Sequence, residues 1–437
     1  MPMNRRDWLG SMLAGLSCVG LRSMATGLPA AFFLDPRRAL AQAPAVCGAT
    51  QKAQYFIFNT SGQGDPINAN VPGSYDDPGI VHSTDSSMAQ TTLRLRDQTS
   101  SAAKPWASLP QSVLDRSCFF HLMTNTPVHP KEPDVLQLMN STKAGEMMPS
   151  VLSRLLAPCL GTLQAQPVSL GASTPSEALS FGGQTLPAIP ALALKATLTS
   201  PDKPQANLQK LRDQTLNQLS DLYRNEATPA QRTYLDSLVT SQQQVRGIRQ
   251  DLLEQLSSIT DNSADSQVIA ALTLIQMKLT PVVAIHIPFG GDNHRDLALA
   301  DETAQTVSGV ATIASLLSQL GTLGLSDQVT FASLNVFGRT LGKASSDGRQ
   351  HNQNHQVSIA IGAAFKGGVI GGLTKVGADY GALAIDSASG KGTATGDIAP
   401  LESLSSFGQT LLAAVGTDPA TIQTLITRGK VISAALA

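Results

Sequence analysis

The stretch "PVVAIHIPFGGDNHRD", residues 281–296, decides how the chain is read. Residues 281–287 are a short apolar run bounded by Pro281 and Pro288. Such a run suits a buried strand better than a helix. Gly290 and Gly291 then free the backbone to turn. If the chain stays extended beyond them, Asp292 and His294 face the same way, because side chains alternate along a strand. An acid and an imidazole on one face form a metal-ligand or an acid–base arrangement.

The flanking sequence supplies the rest of a sheet. "ALADETAQTVSGVATIASLLSQLGTLG" has the spacing of a long amphipathic helix ending at Gly321 or Gly324, as glycine C-caps do. "QVTFASLNVFGRT" is a further strand, over 328–334, leading into a loop, and "VSIAIGAAF" is another. Upstream, residues 54–59 and 117–123 are strands, while "VLQLMN" and "MMPSVLSRLLAPCL" carry helical spacing. Strand, helix, strand is βαβ texture, so the expected fold is α/β, a mostly parallel sheet flanked by helices. Residues 161–200 are rich in Gly, Pro, Ser and Thr and read as loops and short strands. From about 201 to 277 the chain is Gln-rich with apolar residues three and four apart, which predicts an α-helical insertion or cap.

With 437 residues, 42% hydrophobic and 14% charged, the chain can bury a sizeable core and is not compositionally disordered. A net charge of −1 without a basic block excludes an electrostatic nucleic-acid footprint. Aromatics at 4% leave little material for stacking bases or sugars. The N-terminus is an address: Arg5 and Arg6 precede an apolar, Gly/Ala-rich stretch, and Ala39–Ala41 has the form of a cleavage site. Tandem arginines followed by Trp8 and Leu9 resemble a twin-arginine signal over 1–41, with residues 42–437 as one domain. The expected location is periplasmic or secreted, reached through the twin-arginine translocase, with no stable membrane span in the mature chain. Cys47, Cys118 and Cys159 then allow one disulfide with one thiol left over, or three buried apolar cysteines.

In open α/β sheets, ligands sit outside the carboxyl ends of the strands. The residues following each expected strand are therefore the site candidates: Thr60, Ser61, Gly62, Gly64, Asp65 and Asn68; His121 and His129; Asp292, Asn293 and His294; and Asn335, Arg339, Gln350, His351 and His355. His286, inside the apolar run, reads as a core histidine.

Five motifs, "SGQGDPINANVPGSY", "GGDNHRD", "NVFGRT", "GRQHNQNH" and "KGGVIGG", occur in the order and approximate spacing of an exported bacterial family, domain of unknown function 1501. The chain resembles that family over about residues 54–373, and the family resembles the alkaline phosphatase and sulfatase superfamily. The resemblance implies an alkaline-phosphatase-like fold and metal ligands at Asp65, Asp292, His294 and His351. It also departs from the pattern: Val336 and Gln350 stand where the family commonly has acids, so a two-metal site would lack two carboxylates. Asn335, Gln350 and His355 are neutral donors that could substitute. Two functions follow. One is a metal-dependent hydrolase of phosphate, sulfate or related small anionic esters, using one or two divalent ions such as zinc. There Thr60, Ser61 or a metal-activated water attacks, and Arg339 clamps an anionic oxygen. The other is a non-catalytic exported protein that keeps the fold to bind or assemble with an exported partner. No motif marks the substrate.

Overall fold

The computed structural model describes residues 47–171, 178–199, 250–342 and 348–437, with residue 218 as an isolated helical position. The N-terminal stretch expected to be a signal, residues 1–41, and most of the Gln-rich stretch lie outside the described residues. Seven strands make the central sheet: β1 (Tyr55–Ser61), β2 (Ser117–Leu122), β3 (Val168–Ser169), β4 (Val282–Ile285), β5 (Val329–Asn335), β6 (Gln356–Ile361) and β7 (Gly368–Ile370). Their order across the sheet is β7-β2-β6-β5-β1-β4-β3. All run the same way except β6, which is antiparallel to both β5 and β2. Parallel strands need a crossover, usually a helix. Between β5 and β6 the described residues make a short two-stranded ribbon, Gly338–Arg339 with His351–Asn352, and no helix. The chain therefore re-enters the sheet from the end it left, and β6 runs backwards.

Side-chain alternation along β1 builds a core on each face. Ile57, with Val283, Ile285, Phe331 and Ile359, packs against one helical layer. Phe56 and Phe58, with Phe120, Ala284 and Leu334, pack against the other. The first layer holds the helices α2 (Ala191–Thr199), α3 (Gln250–Ser257), α4 (Ala264–Gln276) and α5 (Ala300–Thr322); the second holds α1 (Met148–Leu160) and α6 (Ser403–Ala414). The protein is thus a mixed α/β fold with a mainly parallel sheet between helices. In α5 the fully buried Val310, Ile313, Leu316 and Leu320 form the inward stripe. Each contributes roughly 1.5–3 kcal/mol of apolar burial. The helix stops at Gly324, which takes φ +68 beyond the C-cap Leu323.

Several local expectations change. The stretch expected to be an insertion ends in α4, whose Val268, Ala271, Leu272 and Ile275 are buried in the same core as the sheet. That helix belongs to the flanking layer. "VLQLMN" gives only a short helix, Glu132–Leu136, because Leu138, Met139 and Asn140 all take φ near +55. Cys47 and Cys159 form the disulfide, tying the segment before β1 to the end of α1. Cys118 lies free and buried in β2, its thiol pushed up by burial. Among the described residues, no helix is long and apolar enough to cross a membrane.

Candidate metal centre

Four strands that run the same way deliver their following loops to one end of the sheet. The turn after β1 contains Gly64, at φ +66, where a Cβ would sit 2.0 Å from Phe337 Cε2. Only glycine fits, and the turn exposes three consecutive carbonyls. Gly62 O lies 2.8 Å from His129 Nδ1. Gln63 O accepts from Arg339 Nη2 at 2.7 Å, and Gly64 O accepts from Arg339 Nε. The loop after β4 turns through Gly290 (φ +118) and Gly291 (φ +53) to present Asp292 and His294. The ribbon after β5 pairs Arg339 opposite His351, and His129 comes from the loop beyond β2.

These side chains converge on Asp292. Its Oδ1 accepts from Arg339 Nη2 at 2.8 Å and lies 3.1 Å from His294 Nε2. His351 Nε2 is 3.9 Å from the same oxygen, and His129 Nε2 is 3.6 Å from Oδ2. His294 and His351 face each other Nε2 to Nε2 at 2.8 Å. His129, Asp292 and His351 each offer a ligand atom, all within 4.8 Å of one another. Donors bound 2.0–2.1 Å from a tetrahedral ion are about 3.4 Å apart, so this spacing fits one small cation. The far nitrogens are also arranged for it. Both Nδ1 atoms, of His129 and His351, sit on backbone carbonyls, Gly62 O at 2.8 Å and Pro127 O at 2.6 Å. A proton on each Nδ1 leaves each Nε2 lone pair facing the centre, the outer-shell arrangement usual for ligating histidines.

The electrostatics agree. Burial pushes the Asp292 carboxyl up, but the hydrogen bond and charge of Arg339, with His294 and His129, outweigh it and hold the carboxyl below its ordinary range. Burial lowers His351 and the charge of Arg339 lowers it further, against the pull of Pro127 O. His351 is therefore neutral near pH 7 and able to ligate. Asp292 also lines a cleft of about 450 Å³, with Asp65, His286, Arg295, Asp296 and Asp301 among others, so the cleft meets the centre at this carboxylate. Another hollow, of about 300 Å³, lies at the opposite end of the sheet beside Arg116 and Asp327 and holds no such cluster.

Asp292, His294 and His351 are brought together as expected, with Arg339 against them. Asp65 is not in the cluster: it lies on the cleft wall with Oδ1 accepting from Gly291 N at 2.9 Å. Asn335 is occupied by the Asp65 backbone, accepting from its N–H and donating to its carbonyl. His355 is elsewhere, fully buried. Its Nε2 lies 2.9 Å from His121 Nδ1 and its Nδ1 3.2 Å from Asn68 Nδ2, while His121 Nε2 reaches Pro72 O at 2.9 Å. Neutral rings satisfy every bond in that chain. Burial holds His121 down to about 4 and His355 well below its usual range. Asn68 in turn bonds both the N–H and the carbonyl of Arg339, so this pair supports the site from behind.

Arg339 has no exposed side-chain surface and directs its donors at two carbonyls, Asp292 and His294 Nε2. It orients the carboxylate and is not free to clamp a ligand. Thr60 and Ser61 are 1% exposed, and Ser61 Oγ accepts from Gln63 N. Gln350 is exposed and Val336 is buried in the core. His286 is a half-buried residue just past β4, its Nδ1 3.1 Å from Thr60 O, and it lines the cleft instead of the core. The sequence reading undervalued His129, which follows no acid. No motif marks it in the sequence; the loop after β2 brings it to Asp292 and also supplies Pro127 O to His351. The buried Glu302–Arg349 pair was also missed.

A family model described as "Protein of unknown function (DUF1501)" matches residues 164–386, about half of the chain. No curated protein matches. A solved structure described as "Crystal structure of Ps i-CgsB in complex with k-i-k-neocarrahexaose" is similar at 9% identity. That match covers 88% of this chain and 75% of that one, with a TM-score of 0.34. A likeness so distant carries no argument about the site.

Proposed function

This chain belongs to the DUF1501 family, and from that premise we propose that it is an exported, metal-dependent hydrolase of small anionic esters of the phosphate or sulfate type. The observation that carries the proposal is the set of imidazole Nε2 atoms gathered around Asp292, two of them with Nδ1 tied to backbone carbonyls. Without a cation the set is in conflict. His351 Nε2 is a bare lone pair, so His294 Nε2 must donate to it, yet the same nitrogen lies 3.3 Å from the donor Arg339 Nη1. It can serve only one of the two. A divalent ion such as zinc, held by Asp292, His129, His351 and His294, would supply Lewis-acid polarisation of an ester oxygen.

The remaining roles belong to the chain itself. Arg339 fixes the Asp292 carboxylate in its charged form. The Gly62–Gly64 carbonyls orient His129 and Arg339, and the cleft receives the ester. Because Thr60 and Ser61 are buried, the attacking group in this proposal is water entering from the cleft. The Cys47–Cys159 bridge supports an oxidising compartment, as export through the twin-arginine translocase would provide.

Elemental analysis of protein purified without chelator, followed by hydrolysis assays on aryl phosphate and aryl sulfate with and without added metal, tests the proposal. Protein that takes up no metal under any loading condition would sink it. A second reading, an exported binding protein without chemistry, is favoured by the burial of both strand-end hydroxyls; metal uptake without hydrolysis of any anionic ester would select it.

A further inference from the structure

We infer that Glu302 is the positioning residue that sets the distance between the two loops forming the metal centre; the inference rests on that centre being a cation site. Glu302 stands in the first turn of α5 and touches none of the proposed ligands. Its carboxylate, without exposed surface, gathers three segments. Oε2 accepts from Asn293 Nδ2 at 2.9 Å, in the residue between Asp292 and His294. Arg349, two residues before His351, donates Nε to Oε2 at 2.7 Å and Nη2 to Oε1 at 3.0 Å. Asn70, from the segment after β1, donates Nδ2 to Oε1 at 2.8 Å.

Both ends of this strut are otherwise fixed. Arg349 also donates Nη1 to Thr340 O at 2.8 Å and Nη2 to Val81 O at 2.6 Å. Glu302 is anchored through its own N–H, which donates to Asp296 Oδ2 at 2.8 Å. The loops meet where Gly348 packs on the other loop's backbone. A Cβ there would lie 2.3 Å from Asn293 O and 3.0 Å from His294 C. The carboxylate pulls Asn293 and Arg349 together, and the glycine lets them touch. The 2.8 Å approach of His294 to His351 is the result. A shared, fully buried acceptor is rigid in a way that two separate surface contacts are not.

The test uses the full-length exported protein, cobalt(II) alone as the probe, and three variants. Asn293→Ala cuts the link to the Asp292–His294 loop and leaves the Glu302–Arg349 pair intact. Glu302→Gln removes the charge, and Gly348→Ala wedges the loops apart. Expected is a native circular dichroism spectrum for Asn293→Ala, cobalt affinity reduced at least about tenfold, in line with losses of outer-shell partners, and altered visible bands. Wild-type affinity and bands in Asn293→Ala overturn the inference, and this variant decides the matter if Glu302→Gln does not fold. Should the wild-type protein bind no cobalt, the cation reading fails by itself. The strut is then judged on the ring nitrogen resonances of His294 and His351, which report their mutual hydrogen bond: a shift in Asn293→Ala supports it, and unchanged resonances overturn it.

Discussion

Replacing Asp292 by Asn isolates the charge that the proposed centre depends on. The amide keeps the shape and retains an oxygen for Arg339 Nη2, which now lies 2.8 Å from Oδ1. The Asp292 side chain is 42% exposed, so solvent screens its pairing with Arg339 to about 1 kcal/mol or less. The metal-free variant should therefore melt close to the wild-type protein. The zinc-dependent part behaves differently. Asp292 is the only charged donor in the set, the others being imidazoles, and its loss should weaken zinc at least about 100-fold, the upper end of what losing a mere outer-shell partner of a ligand costs. At a zinc concentration of about 100 times the wild-type Kd, binding adds about 2.7 kcal/mol to wild-type stability. The variant, at about its own Kd, gains only about 0.4 kcal/mol. Unfolding entropy of about 2.1 cal/mol/K per residue over the roughly 330 described residues turns 2.7 kcal/mol into about 4 °C. Differential scanning calorimetry with and without zinc should show a rise of that size in the wild type and under 1 °C in Asp292→Asn. Equal zinc-induced shifts in the two proteins would refute the placement of Asp292 at the cation.

Gly64→Ala would drive a methyl into the Phe337 ring at a positive φ; melts should show a loss of about 1–3 kcal/mol. Zinc affinity should fall too, because Phe337 packs against His129 and His351. The buried His121 ring, held down to about 4, binds fewer protons folded than unfolded. Stability is therefore full above pH 6.5 and falls by about 3 kcal/mol as pH drops to 4, with His355 acting in the same direction; urea midpoints across that range measure it, and His121→Asn should flatten the slope. Removing the Cys47–Cys159 bridge by a double serine substitution frees a loop with a sequence separation of 112. Chain-entropy loss sets the cost at up to about 4.7 kcal/mol, to be read as the difference between wild-type and variant melts without reductant. Lysines in place of Arg5 and Arg6 should leave full-length precursor in the cytoplasm, detectable by cell fractionation.

The sheet was legible because buried strands announce themselves as short apolar runs with turn residues at their ends. The runs 54–59, 117–123, 281–287 and 328–334 all fall on observed strands, offset by one or two residues. The direction of β6 was not legible, since it goes with a connection that, among its described residues between Asn335 and Gln356, holds no crossover helix, which strand pattern alone does not report. For the site, the strand-end rule brought out Asp292, His294, His351 and Arg339, all within one cluster. It could not separate residues that aim into the cleft from those that aim back into the fold. Asp65 and His355 both follow strands or precede them closely, yet one serves a backbone N–H and the other a second buried histidine. That choice is made by side-chain packing between segments more than 200 residues apart, as with Asp65 and Gly291.

The pairing of Arg339 with Asp292 bears on how many ions the proposed centre would hold. One carboxylate and one guanidinium cancel, and imidazoles add no charge, so the protein offers a nearly neutral set of donors. A single divalent ion leaves the centre with an excess of about two positive charges, and a second ion would double that excess with no further carboxylate in the cluster to offset it. At 3–4 Å in a partly desolvated site, each uncompensated pair of like charges costs several kcal/mol even at an effective dielectric constant of about 20. The buried guanidinium also lies against Asp292 Oδ1 and His294 Nε2, where a second ion would need its ligands. One ion is therefore the stoichiometry this donor set favours. The charge it leaves uncompensated is the same charge that a phosphate or sulfate group would neutralise on entering the cleft. Val336 and Gln350, where acids would balance a second ion, agree with that single-ion stoichiometry: the one carboxylate in the cluster, Asp292, is already paired with Arg339.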